Sequence, residues 1–173
     1  MTSFESGWYA VQVQPKCERF VAELLASKGY ERFLPLYVER RRWSDRIKSL
    51  EVPLIPHYVF CRIAAESVGR IVTTPRVVRI VGCGRTPVPV DPQEIDTLQR
   101  IDACRLSAEP WPFLRVGQTV EIRSGPLNGT RGVLLRIKGA DRLIVAVTLL
   151  QRAVAVEVDA AWVVATTTSE RVA

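Results

Sequence analysis

The stretch that decides the fold is residues 53–63, PLIPHYVFCRI. After Pro56 its side chains alternate in chemistry, as they do on a β-strand, where successive residues point to opposite faces. One face carries small apolar residues suited to a core: Val59, Cys61 and Ile63. The other carries two aromatic rings and a cation: Tyr58, Phe60 and Arg62. Because an unpaired arginine is seldom fully buried, this second face either meets a binding partner, or lies under a helix with Arg62 reaching to solvent.

Composition bounds the rest of the chain. The 173 residues suffice for one medium domain or two small ones, and 47% of them are hydrophobic, enough for a real core. No apolar run approaches the roughly 20 residues that a membrane helix needs. The N-terminus lacks the basic and apolar regions of a secretory signal, so we expect a cytoplasmic protein with no membrane partner.

The side chains that could carry metal or bond chemistry are few. The four cysteines are far apart, without a C-x-x-C pair, and His57 is the sole histidine. Zinc ligands usually come as closely spaced pairs, and disulfides need an oxidising compartment. We therefore expect free, buried cysteines at 17, 61, 83 and 104, no metal, no cofactor and no enzymatic activity.

The formal net charge is +6, and the excess lies mostly in residues 1–105, with sixteen Lys and Arg against twelve Asp and Glu. The densest run is 40–48, RRRWSDRIK, which we interpret as a loop or hairpin tip. Lys and Arg bind phosphates, and an exposed ring can stack on a base, so this run is a candidate nucleic-acid site. A solvated charge run explains it equally well. The candidate residues are Arg40, Arg41, Arg42, Arg46 and Lys48.

Residues 1–105 alternate between strand and helix patterns, in the order β-α-β-β-α-β-α. A strand over 8–14 precedes a helix that begins at Pro15 and carries apolar residues at 17, 20, 21, 24 and 25. A second strand, 33–39, is interrupted by Pro35. Asp91 is placed to cap a helix starting at Pro92. An α+β sandwich, with helices packed on an antiparallel sheet, follows.

The composition changes after residue 105. Residues 106–112 are rich in proline and small side chains, which indicates a linker. Residues 113–166 contain short alternating runs separated by glycine turns, which is typical of a small β-barrel. The chief turn, 124–132, carries Gly125, Pro126, Gly129 and Gly132.

Five segments in this order resemble the NusG family of transcription elongation factors. Trp8-Tyr9-Ala10-Val11 is similar to the opening strand of its N-terminal NGN domain, and 55–60 to its F-P-x-Y-V-F strand. Residues 74–77 are similar to T-P-G-V, and 87–95 to the entry of the last NGN helix. Residues 116–133 resemble the KOW motif of the C-terminal SH3-like barrel. The resemblance implies an NGN domain at 1–105 and a KOW domain at 113–166.

The resemblance also implies a function. NGN domains bind the clamp helices of the largest RNA polymerase subunits and suppress pausing or termination, as monomers. The contact residues implied here are Trp8, Pro56, Tyr58, Phe60, Thr73 and Thr74. The basic run is assigned by charge to non-template or upstream DNA. The KOW domain would recruit a further partner, for which Rho and the small ribosomal subunit are the family's possibilities.

Two residues depart from the family pattern: His57 and Arg76 stand where glycine is usual. These departures suggest a specialised bacterial antitermination paralog. A ribosome-associated RNA-binding KOW protein is the alternative, although ribosomal KOW proteins resemble only the second half. For the C-terminal domain, its β-branched residues favour a barrel over a helical hairpin.

Overall fold

The computed structural model describes residues 6–111, 118–137 and 140–165. The chain forms two compact units, residues 1–95 and 96–173. Both are built mainly from antiparallel strands, which confirms the predicted α+β class for the chain.

A four-stranded antiparallel sheet organises the first unit. Its strands, in spatial order, are β2 (Arg32–Phe33), β5 (Tyr58–Ile63), β1 (Gly7–Val13) and β6 (Val77–Ile80). The predicted strand after Pro56 is therefore central, and it pairs with β1 from Gly7↔Ile63 to Gln12↔Tyr58.

Helix α1 (Glu18–Ser27) packs on one face of this sheet. Val21 and Leu25 of the helix join the apolar residues of β1, β5 and β6 in one buried cluster. The members contributed by the central pair of strands are Tyr9, Val11, Val13, Val59, Cys61 and Ile63. The expected core face of β5 is thus confirmed.

The start of α1 differs from the prediction. The helix begins at Glu18, because Lys16 has a left-handed φ of 63° and the Cys17 N–H donates to the Gln14 carbonyl, closing a turn through Pro15. Phe20, expected on the apolar stripe, is exposed, whereas Glu18 is buried.

Proline 35 divides the predicted second strand, as expected. The residues before it form β2, and those after it form β3 (Leu36–Arg42), which pairs with β4 (Ile47–Pro53) in a separate two-stranded hairpin. A helical turn at Ala65–Ser67 leads into the short helix α2 (Val68–Val72).

The segment after β6 continues along β1 before the last helix, with the Val81 N–H donating to the Ala10 carbonyl and the Val90 N–H to the Trp8 carbonyl. A small ribbon forms from β7 (Gly82–Cys83) and β8 (Thr86–Pro87). Helix α3 (Pro92–Ala103) then begins as predicted, with the Asp91 carboxylate accepting the Gln93 N–H at 2.8 Å.

The second unit contains a six-stranded antiparallel sheet, which confirms the predicted β-rich C-terminal domain. In spatial order the strands are β14 (Val163–Ala165), β10 (Gln118–Ile122), β11 (Arg131–Ile137), β12 (Ala140–Val147), β13 (Arg152–Glu157) and β9 (Ala108–Trp111). Helical turns at Thr148–Leu150 and Ala160–Trp162 follow β12 and precede β14. Parts of two predicted segments, 116–117 and 138–139, lie outside the described residues.

The predicted linker is not free of secondary structure. Within 106–112, strand β9 pairs with β13, from Ala153↔Trp111 to Val156↔Ala108. It lies at the edge of the sheet, where a proline such as Pro110 is tolerated because its missing N–H leaves no gap inside the ladder. The four-residue strand has no clear alternation, so the sequence pattern could not identify it.

Candidate functional site

The candidate contact residues of the first unit gather at the end of β1. The Val13 N–H donates to the His57 carbonyl at 2.8 Å, and the next N–H, of Gln14, donates to the Arg76 carbonyl at 3.0 Å. These two bonds hold the segments 56–58 and 73–76 side by side at one end of the sheet. The loop that carries Pro56 and Tyr58 and the loop that carries Thr73 and Thr74 therefore flank the same end of β1.

Both anchoring residues have left-handed backbones, with φ of 74° at His57 and 70° at Arg76. A side chain with a Cβ is strained there, and glycine is not. These are the two positions where the family pattern has glycine. In this chain, therefore, both departures place a side chain in a backbone conformation that favours glycine. The Arg76 side chain also donates to the Gln14 side-chain oxygen at 2.9 Å.

The two rings of β5 differ in exposure. Tyr58 is half-buried, but Phe60 is 0% exposed, so Phe60 is not accessible as the contact residue that the resemblance implies. Phe60 stacks on Phe33 of β2, with 6.2 Å between the ring centroids, and faces the small Ala10 of β1. Arg62, next on this face, is exposed and pairs with Glu31 at 3.4 Å.

Trp8 lies away from the other candidates. It pairs with Arg62, whereas Tyr58 pairs with Gln12, four residues further along β1. At about 3.3 Å per residue, Trp8 stands about 13 Å from the Tyr58 end of the strand. The structure therefore does not bring Trp8 into the cluster at the end of β1.

The two threonines after α2 have different environments. Thr73 is exposed, and its hydroxyl bonds the Gly69 carbonyl at 2.9 Å. Thr74 is only 2% exposed, donates to the Arg70 carbonyl and accepts from Lys28 Nζ at 2.7 Å. Thr73 is free to meet a partner, and Thr74 fixes the loop.

An open pocket of about 400 Å³ lies beside this cluster. It is formed by the turn before α1, the first turn of α1 and the ends of the β4–β5 loop: Pro15, Lys16, Glu18, Arg19, Pro53, Pro56 and His57. Pro56 and His57 connect the pocket to Tyr58. Arg19 pairs with Glu51 of β4 at 3.2 Å, which ties the base of the hairpin to the same region.

Glu18 is the residue of this region that sequence reasoning missed. The residue is 5% exposed, and its carboxylate accepts the His57 N–H at 2.9 Å. The bond holds the strained residue that precedes Tyr58. A glutamate in the first turn of a helix is also explained by the helix dipole, so the sequence held no signal for this contact.

The basic run 40–48 forms the outer part of the β3–β4 hairpin. Residues 40–49 are all exposed, and the Trp43 N–H donates to the Arg46 carbonyl at 2.8 Å across the turn. Of the two predicted alternatives, a loop or a hairpin tip, the structure shows a hairpin, with Arg46 in its turn and the other four cations on its strands.

The glycine turn of the second unit joins β10 to β11. Gly125 has φ of 76°, and an added Cβ would lie 2.8 Å from the Trp162 ring. Gly132 lies against the next strand, where a Cβ would meet the Ile144 carbonyl at 2.5 Å. Pro126 and Gly129 lie in the same turn, around the buried Leu127. The turn is therefore closely packed, and there is no space for a larger side chain at Gly125 or Gly132.

The cysteines only partly match expectation. Cys61 is buried, and burial, followed by the nearby charge of Glu31, raises the pKa of its thiol to about 12. Cys17 is half-buried, and Cys83 and Cys104 are exposed, so their predicted burial is wrong.

Among the described residues, no group of three potential metal-binding side chains occurs, and no helix is long and apolar enough to span a membrane.

Comparison with known proteins agrees with this architecture. The chain is 28% identical to the transcription termination/antitermination protein NusG of Lactococcus lactis, over 92% of both chains. It is similar to a solved structure of Thermotoga maritima NusG, with a TM-score of 0.57, 25% identity, and coverage of 92% of this chain and 96% of that one. The family model described as transcription termination factor nusG matches residues 6–99, more than half of the chain. This chain belongs to the NusG family.

Proposed function

We propose that this protein is a transcription elongation or antitermination factor that binds the clamp helices of RNA polymerase through its first unit. The observation that carries the proposal is the pair of hydrogen bonds at the end of β1, which fixes His57, next to Tyr58, and Arg76 at one end of the sheet, where Pro56 and His57 line an open pocket. Tyr58, which follows these two residues in the chain, is only half-buried, and aromatic anchors supply much of the binding energy of protein-binding surfaces.

The buried candidates take supporting roles in this proposal. Phe60 and Thr74 are fixed inside the domain and hold the segments that carry Tyr58 and Thr73. Trp8 lies at the far end of β1, about one strand length from Tyr58, and serves as a secondary contact. The exposed cations of the hairpin then contact non-template or upstream DNA next to the polymerase, since Lys and Arg neutralise phosphates.

No bond chemistry is needed for this activity. A protein that binds the pause-resistant state of the polymerase more tightly than the paused state shifts the equilibrium by that difference in affinity. A difference of about 1.4 kcal/mol changes the ratio of the two states tenfold. The second unit, with the glycine turn of the KOW motif, recruits a further partner such as Rho or the small ribosomal subunit.

A pull-down with RNA polymerase from the same organism tests the proposal. We expect the wild-type chain to retain polymerase and Tyr58→Ala to lose at least tenfold in affinity, because a central aromatic anchor is removed. Phe20→Leu is the matched control, since it removes an exposed ring from α1, outside the cluster. Equal retention by wild type and Tyr58→Ala would refute the assigned surface, and retention of ribosomes without polymerase would favour the ribosome-associated alternative.

A further inference from the structure

Strand β9 forms the outer edge of the sheet in the second unit, beside β13. Its residues 108–111 pair with 153–156, and beyond them the Glu157 N–H donates to the Ser107 carbonyl at 2.9 Å. Hydrogen-bonded and non-bonded pairs alternate in an antiparallel ladder, so Pro110 falls in a non-bonded pair. Its nitrogen therefore points away from β13, and the proline removes no hydrogen bond between the two strands.

An ion pair anchors β9 to the sheet. Glu109 Oε1 lies 3.2 Å from Arg142 Nη1, and Glu157 Oε2 lies 3.7 Å from Arg142 Nη2. Since Arg142 belongs to β12, its guanidinium reaches across β13 to the carboxylate of β9. The Arg142 side chain is only 15% exposed, so salt screens this pair less than a pair at the surface. The edge of β13 thus offers a nearly buried cation to an acidic residue of the strand beside it.

An aromatic ring is the second anchor of β9. Trp111 is half-buried and packs against the buried cluster of Ile144, Ala153 and Ala155. Because Glu109 is two residues before Trp111, both side chains lie on the same face of the strand. The two alanines of β13 are small, which leaves room for the indole ring. An acidic residue followed at the second position by an aromatic ring is therefore the pattern that this edge holds.

The fit of β9 is incomplete. The strand has four residues, all of them half-buried, and in the part of the chain that the structure describes it is paired on one side only. Trp111 Nε1 and Arg142 Nε are both buried, and among the described residues neither atom has a hydrogen-bond partner. A buried polar atom without a partner costs free energy, so a strand that satisfied these two atoms would bind more tightly than β9 does.

We propose that β9 occupies a site for a strand of a partner protein and leaves it when that strand binds. The partner segment is an extended peptide with a carboxylate two residues before an aromatic ring. Its carboxylate pairs with Arg142 and its ring packs on Ala153, as Glu109 and Trp111 do. Its backbone adds to the edge of β13 by β-augmentation. The peptide must compete with β9, which is held at a high effective concentration because it belongs to the same chain.

This inference names a surface for the partner-recruiting role proposed above for the second unit, and it rests on that role. Its test uses a peptide and neither polymerase, Rho nor ribosomes. Failure of the peptide test would therefore leave the recruitment of those partners, and the Tyr58 surface, to be decided by their own pull-downs.

Fluorescence anisotropy with the full chain and a labelled peptide of residues 106–112, LSAEPWP, tests the proposal. Glu109→Gln with Trp111→Ala in the chain removes both anchors of β9, and we expect this double variant to bind the peptide at least tenfold more tightly than wild type. Adding Arg142→Gln should weaken binding about tenfold, because the peptide carboxylate loses its ionic partner. Adding Arg131→Gln instead, in β11, is the matched control and should leave the affinity unchanged. A folded double variant that binds no more tightly than wild type, or equal affinities after Arg142→Gln and Arg131→Gln, would overturn the proposal.

Amide hydrogen exchange of the isotope-labelled wild-type chain gives a decision even if the double variant does not fold. We expect the amides of Glu109 and Trp111 to exchange at least tenfold faster than those of Leu143 and Val145 in β12, because β9 opens locally. Excess unlabelled peptide should raise the exchange of the two β9 amides further while leaving the Ala155 amide of β13 protected. Equal protection of β9 and β12, β9 exchange that the peptide does not change, or dimers that exchange β9 between two copies in place of peptide binding would refute the assignment.

Discussion

The outer β3–β4 hairpin and the centre of the C-terminal sheet are both antiparallel β-structure, but their side chains have opposite environments. Residues 40–49 of the hairpin are exposed without interruption. In β12 and β13, three and four consecutive residues are buried, Leu143–Val145 and Ala153–Val156. Consecutive burial means that both faces of these strands are covered. One of those faces packs against Trp111, Val133 and Leu135.

The difference separates stability from binding. Where both faces are covered, the side chains contribute to the free energy of folding, and replacing them should unfold the domain. Where both faces are exposed, the side chains contribute little to the free energy of folding, so folding does not constrain which residues are present and they can be suited to binding a partner. The comparison predicts that hairpin substitutions change nucleic-acid affinity and leave stability nearly unchanged.

The largest expected effect is in the C-terminal sheet. Leu143→Ala removes a fully buried side chain and should lower the free energy of unfolding by about 3 kcal/mol, because it loses apolar burial and leaves a cavity. Ile47→Ala, in the hairpin, should change it by less than about 0.5 kcal/mol. Urea denaturation of both variants measures their free energies of unfolding. Similar losses of stability in the two variants would contradict the proposed difference between the C-terminal sheet and the hairpin.

A smaller effect is expected at the strained loop. Arg76→Gly should raise the free energy of unfolding by about 0.5–1 kcal/mol, because glycine relieves the left-handed strain but adds freedom to the unfolded chain. Arg79→Gly is the control, since Arg79 lies within strand β6, and it should destabilise by about 0.5–1 kcal/mol. If Arg76→Gly destabilises as much as Arg79→Gly, the strain argument is wrong.

An effect seen only at high pH concerns the buried thiol of Cys61. Its pKa is raised from 9.0 to about 12 in the folded protein, so between these values the unfolded thiol ionises while the folded one keeps its proton. The unfolded state then binds fewer protons, and the free energy of unfolding falls as the pH rises through this range, by up to about 1.4 kcal/mol per unit. Denaturation at pH 8 and pH 10 should show this loss in wild type and in Cys83→Ala, whose thiol is exposed, but less of it in Cys61→Ala. The same pH dependence in all three would contradict the assignment.

Local chemistry in the sequence was sufficient to predict much of the fold. Alternation identified β5, Pro35 split one strand into two, and Asp91 marked the start of α3. Each of these signals acts within a few residues of its position. The hairpin and its cations were likewise predicted from charge density and the absence of apolar periodicity.

What could not be predicted depends on residues distant in the chain. Phe60 is buried because Phe33, from a strand of only two residues, stacks on it. Glu18 is buried because a loop 39 residues later supplies an N–H to its carboxylate. The pocket forms where the start of α1 meets the β4–β5 loop. Periodicity describes which faces a strand has, and long-range contacts decide which of them are covered.

A single-round transcription assay on a pausing template most directly tests the central claim, that the end of the sheet carrying Tyr58 acts on RNA polymerase. Purified wild-type protein should shorten the lifetime of the paused complex, Tyr58→Ala should lose this effect, and Phe20→Leu should keep it. Pause lifetimes that are unchanged by the wild-type protein, or shortened equally by Tyr58→Ala, would contradict the account.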